Sequence, residues 1–391
     1  MSEKTPRAPA TFAEDLAFLQ KHGKPIVLEG EGNAKIALSA EYQGRVMTSA
    51  VEPSGRSLGW LNRGFIEAKK TGTQFDNYGG EDRFWLGPEA GQFGLYFAPN
   101  AKFEVTAWQT PHQMQEGAWD VADAKPNKVT FKKKMTVTNW SNTTFDIDVE
   151  RTASVLGRED AKKVLGLPAA PAKEVGFVAY ETKNKITNAG KAAWKKDKGL
   201  VSIWILAMFA PVPDTKVIVP FETNTQSGGP LRGSPIVADD YFGKVPPERL
   251  VVKEDKGYLL FTADGNLRSK IGLAPARAKS VLGAYSAEAK LLTIVHYDGP
   301  KKGAPYVNSK WEQQKEPFLG DVVNSYNDGP LGAGKEQLGP FYELETSSPG
   351  AELAPNASLS HTHRTFHFVG EPAALEPIAK KVLGVSVADI K

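Results

Sequence analysis

The chain has 391 residues, 41% hydrophobic and 24% charged, with a formal net charge of +3; this is ordinary globular composition and leaves neither nucleic acid nor an anionic membrane as an obligatory partner. There is no cysteine, which excludes disulfides, thiolate metal sites and a cysteine nucleophile. No run approaches the roughly 18 apolar residues of a membrane span, and the segment MSEKTPRAPATF lacks the apolar core of a signal peptide, so cytoplasm and periplasm (after removal of a leader) both stay open.

Thr11 and Glu14 form a capping box, with Phe12, Leu16 and Leu19 at helical spacing and Gly23 as the stop. This predicts one short peripheral helix over 11–23. From Ile26 the period changes. Pro25 to Leu28, Ala34 to Tyr42 and Arg45 to Val51 are short alternating runs between Gly-rich turns, a β-meander signal. Asn77 to Glu89 is dense in glycine, aromatics and charge. Its Glu81, Arg83 and Trp85 suit a sugar, since rings stack on C–H faces while Arg and carboxylates bind hydroxyls. A structural turn tied to the sheet by an Arg83 ion pair would carry the same residues.

Strands follow at Val129 to Asn139, Phe145 to Leu156 and Glu174 to Lys183, with a helix at Arg158 to Leu165. Leu200 to Phe209 reads as another strand and carries Trp204. Pro211 to Pro220 is a loop returning to a strand, and Leu231 to Lys244 is loop-like. Tyr258 to Asp264 and Leu291 to Tyr297 are strands, the second ending near His296. Asn308 to Pro330 concentrates Trp311, Glu312, Asp321, Asn327 and Asp328 with few aliphatics, the composition of a loop that lines or covers a pocket. Gly339 to Phe368 holds Glu343 and Glu345, a turn rich in Ser, Pro and Gly, and a closing strand. In a strand Phe341, Glu343 and Glu345 project one way, and Tyr342, Leu344 and Thr346 the other. An edge strand with a solvated acidic face is the plain alternative. Pro372 to Leu383 is a closing helix.

Leu344-Glu345-Thr346, with the polar turn and closing strand after it, resembles the C-terminal signature of aldose 1-epimerases (galactose mutarotases). The wider chain more closely resembles an uncharacterised branch of that superfamily, a domain of unknown function. That likeness is carried by Asn77 to Glu89, Ser202 to Phe209, Asn308 to Gln314, Gly320 to Pro330 and the PFYELETSSP segment. The resemblance implies an all-β, mutarotase-like β-supersandwich as one domain over 1–391, with the helices at 11–23 and 372–383 peripheral. It implies a small-molecule sugar or glycan as partner and Glu345 as general base at an anomeric centre. The Asn-His-Pro-Tyr-Phe segment that carries the epimerase histidine is absent, and Trp204 stands on the corresponding strand. The acid therefore stays unassigned. His296 is the fallback, with His112 and His361 behind it, although a strand-end histidine satisfied by its neighbours is the favoured reading of His296.

Arg83, Glu81, Trp85, Trp204, Trp311, Glu312, Asn327, Asp328 and Glu343 are the expected substrate-binding set, and Arg83 should share one concave pocket with the two glutamates. A binding protein on the same scaffold is the alternative. So is a glycan hydrolase or lyase using Glu343, Glu345, Glu312 or Asp321. No cofactor is expected, because P-loop, dinucleotide and serine-hydrolase motifs are missing; Gly30-Glu31-Gly32 lacks the third glycine. No metal is expected either. His361, His363 and His367 share a face, but the first and last are about 20 Å apart at strand rise.

Overall fold

The computed structural model describes residues 9–69, 71–72, 74–223, 235–332 and 336–390. Residues 231–234 of the expected loop at 231–244 lie outside them. Among the described residues the chain forms two large antiparallel sheets and one small one. The ten-stranded sheet runs from Leu250–Lys253 at one edge to Asp120–Lys125 at the other. At its centre the closing strand Ser358–Val369 lies between Leu291–Tyr297 and Gly176–Asn188. The five-stranded sheet has the order Ser269–Leu273, Val323–Asn327, Tyr342–Ser347, Ser202–Phe209, Arg83–Gly87.

The sheets pack because alternate residues of their strands are apolar on the facing sides. Leu344 and Tyr342 enter the shared core with Phe209, Ala207 and Val295. Phe84, Leu86, Ile203 and Ile205 do so further along. The outer face of the ten-stranded sheet is covered by helix Pro372–Leu383, whose Leu375, Ile378, Ala379 and Leu383 meet Phe366, Phe368, Leu292 and Ile294. Proline opens that helix, and Gly384 ends it at φ 72°, a left-handed conformation that costs glycine little. The N-terminal helix Phe12–His22 keeps its capping box and buries Phe12 and Leu19 on the small sheet formed by Ile26–Glu29, Lys35–Ser39 and Arg45–Ala50.

Two expectations change. The glutamate strand Tyr342–Ser347 is the middle strand of five, so the solvated-edge alternative is wrong: Glu343 is 6% exposed and Glu345 fully buried. The segment from Asn308 to Pro330 is not loop throughout, since Val323–Asn327 pairs between two strands.

Candidate functional site

The face of the five-stranded sheet turned away from the ten-stranded one carries the chemistry. Alternation sends Phe84 and Leu86 into the core and Arg83 and Trp85 to this face. The next strand adds Trp204, Leu206 and Met208, and Lys270, Tyr326 and Glu343 come from the other three. With Trp108 and Trp311 from loops they surround a cavity of about 310 Å³, at the small end of ligand pockets.

Its walls are aromatic. The Trp85 and Trp204 rings meet edge to face at 5.7 Å between centroids, and the Arg83 guanidinium lies 4.0 Å from the Trp85 ring centre. The floor is charged. Arg83 Nη2 donates to Glu343 Oε1 at 2.8 Å. One residue pair along the strand, Glu345 Oε2 accepts from Trp204 Nε1 and from Lys270 Nζ, each at 2.9 Å. Desolvation pushes the Glu343 carboxyl up to about 8, with Arg83 opposing and Glu345 adding to the rise. Burial acts to lower the Lys270 ammonium, but Glu345, Glu89 and Glu343 outweigh it and hold the group protonated. Glu89, which accepts from Trp108 Nε1 at 2.9 Å, is raised by burial.

Several buried polar atoms here have no protein partner: Arg83 Nε and Nη1, Trp85 Nε1, Trp311 Nε1, Asn77 Oδ1 and Glu345 Oε1. Buried polar atoms in native proteins are nearly always paired, so such a concentration marks where a ligand or ordered water belongs. Below Lys270 and Trp204 lies a second chamber of about 20 Å³, large enough for a water. There Tyr241 donates to Asp321 at 2.6 Å, and burial pushes the Asp321 carboxyl up to about 6.

Of the expected residues, Arg83, Trp85, Trp204, Trp311 and Glu343 line the main cavity together. Glu345 is not on its lining: the Trp204 indole and the Lys270 ammonium that bind it are. Glu81 faces the other way, into the space between the sheets, where it accepts from Ser49 and meets His367 Nε2 at 2.8 Å. The Gly79–Gly80 turn, at φ 82° and 115°, precedes the strand and takes Glu81 off its alternation. Asn327 is one residue out of phase with Tyr326 and is consumed by Gly265 N and Leu267 O. Asp328 stands behind the lining, bound to Tyr326 Oη and Gly339 N. Glu312 is exposed on the surface.

The histidines are elsewhere. His296 lies on the ten-stranded sheet in a separate surface hollow beside Arg364, where burial lowers it to about 4. It is therefore not in the cavity with the glutamates. His361 and His363 both meet Thr346 Oγ1, at 2.8 and 2.9 Å, inside the sheet interface. His112 is exposed and pairs with Glu116. No group of three or more potential metal ligands exists among the described residues. Glu89, Trp108, Lys270 and Arg268 were not singled out by sequence. Only Glu89 had a signal, at the end of the Asn77 to Glu89 cluster.

The chain belongs to a family of unknown function, DUF6786, whose model matches residues 10–391. No curated protein matches it. Among solved structures it is similar to an Escherichia coli K12 protein provisionally described as an aldose 1-epimerase. That match has 11% identity and a TM-score of 0.51, covering 88% of this chain and 98% of that one. A galactose mutarotase-like protein from Lactobacillus casei matches at 11% identity and TM-score 0.48, covering 88% and 100%. An aldose epimerase homologue from C. elegans matches at 10% and 0.46, covering 89% and 99%. The fold is mutarotase-like, as the sequence resemblance implied.

Proposed function

We propose that this member of a family of unknown function binds a sugar in the cavity and acts on its anomeric centre. One observation carries the reading: unpartnered buried donors and acceptors, from Arg83, Trp85, Trp311 and Asn77, stand against a wall of tryptophans. A hydroxyl-rich ring with apolar C–H faces satisfies both halves of that surface at once. The mutarotase-like fold agrees with it, but fold alone does not assign activity.

Epimerisation needs a base for the anomeric hydroxyl and an acid for the ring oxygen. Glu345 is the base on this reading. Glu343 fills the acid role that the sequence left open, because its carboxyl lines the cavity and holds a proton at neutral pH. Glu345 takes the hydroxyl proton while Glu343 protonates the ring oxygen. The C1–O5 bond breaks to the open-chain aldehyde, rotation follows, and closure returns both protons. Two residues along one strand face are about 7 Å apart, but Trp204 and Lys270 cover Glu345, so this reading requires those two side chains to turn aside before both carboxyls can flank one sugar carbon.

A second reading, binding without turnover, is favoured by the position of Glu345 behind Trp204 and Lys270. A saturation-transfer screen of free sugars tests binding, and polarimetry on fresh α-glucose and α-galactose tests turnover. Binding without mutarotation selects the second reading. Absence of binding to any mono- or disaccharide overturns both.

A further inference from the structure

Three cations face the cavity, and their partners differ. Lys270 is bound to Glu345, and Arg83 donates to Glu343. Arg268 forms no ion pair among the described residues. Its guanidinium lies 3.7 Å from the ring centre of Phe242 and hydrogen-bonds the Tyr326 hydroxyl, while its buried Nε has no hydrogen-bond partner. Asp328, behind Tyr326, has its two oxygens taken by Tyr326 Oη and Gly339 N. Arg268 is half-buried, whereas Glu343 and Glu345 sit at the closed floor. The cavity thus has a carboxyl floor and, at its rim, an arginine without an ion pair among the described residues.

We infer that the ligand is an anionic sugar, one whose exocyclic carboxylate or phosphate reaches Arg268 at the rim while its anomeric end lies on the Glu343 floor. The inference rests on the sugar reading above and narrows it to a substrate class. A half-buried guanidinium over an aromatic ring is already partly desolvated, so an anion arriving there recovers a charge-assisted bond at little further cost. A neutral sugar hydroxyl can accept from the Nε–H as well, but through a weaker neutral bond that leaves the positive charge without a counter-ion.

The test is isothermal titration of the full chain with matched pairs: glucose against glucuronate and glucose 6-phosphate, and galactose against galacturonate. Acetate and inorganic phosphate serve as bare-anion controls. The expected result is at least about tenfold tighter binding of one anionic sugar than of its neutral parent, weakening with salt. In Arg268→Gln that ratio should fall to near one, and Arg268→Lys should restore part of it; circular dichroism of both variants checks folding. Which anionic sugar wins separates carboxylate from phosphate. Equal affinity for neutral and anionic partners overturns the inference and leaves the sugar reading standing. A preference that survives in Arg268→Gln overturns the assignment to Arg268. Binding of the bare anions as tightly as the sugars overturns it as well. If no sugar of either class binds, the sugar reading fails and this inference with it.

Discussion

Arg83 and Glu343 are 260 residues apart in sequence and joined by a 2.8 Å hydrogen bond across the floor of the cavity. Neither strand is hydrogen-bonded to the other. Ser202–Phe209 lies between them, and Arg83 reaches diagonally past its partner Leu206. The pair is therefore a product of side-chain reach over a strand, and it closes the site between the outermost and the middle strand of the sheet.

Glu343 gives the first prediction. Its folded value, near 8, lies above an ordinary glutamate, so the native state holds a proton that the unfolded state has lost. Stability from this group is present at low pH and is lost as pH rises through 8. Between pH 7 and 8 the wild type should lose about 1 kcal/mol that Glu343→Gln does not lose. Urea denaturation of both proteins at the two pH values measures the difference; parallel slopes would mean that Glu343 is ionised throughout.

His361, in the sheet interface, titrates in the opposite sense. Burial lowers His361 to about 3, so in the unfolded chain it takes up a proton near pH 6.5 that the native state refuses. Its contribution is intact above pH 6.5 and is lost as pH falls towards 3. His361→Gln should be less stable than wild type at pH 7, with the gap narrowing by about 2 kcal/mol by pH 4.5. Thermal melts of both proteins across that range read the gap directly, and a constant gap would exclude titration of His361.

Lys270 and Glu345 form a buried ion pair, with side chains 9% and 0% exposed. Removing one partner strands the other in a dry site. Lys270→Met should cost about 3 kcal/mol or more, and adding Glu345→Gln should recover a large part of it. A double-mutant cycle by denaturant titration checks this. Additive costs would show that Trp204 alone satisfies Glu345.

Activity should divide between the two sheets. In polarimetric mutarotation, Glu345→Gln and Glu343→Gln should each lower turnover by about 10²-fold or more, while His296→Ala stays close to wild type because His296 lines a different hollow. A folded but inactive His296→Ala would move the acid to the ten-stranded sheet.

Trp311 is only partly buried, yet it lines the cavity. Trp311→Ala should weaken sugar binding about tenfold with little change in Tm, since a stacking face is lost at the rim and not in the core. Fluorescence titration and a melt of the same sample give both numbers.

The sequence by itself determined the local structure and half of the site. The helices Arg158–Leu165 and Pro372–Leu383 and the Thr11–Glu14 capping box were legible because caps and 3.6-residue periodicity act over a few residues. The alternation that puts Glu343 and Glu345 on one face and Leu344 and Thr346 on the other was legible for the same reason, and the epimerase-like resemblance supplied the fold. Tertiary structure decided which face became the cavity, because that depends on which side the ten-stranded sheet covers. It turned Glu81 and Asn327 away from the site and brought in Lys270 and Arg268, which have no pattern along the chain. It also decided that Glu345 lies behind Trp204 and Lys270 while Glu343 faces the void. Period two tells which residues share a face, but the depth of each along that face is set by neighbouring strands, through pairing across long stretches of sequence.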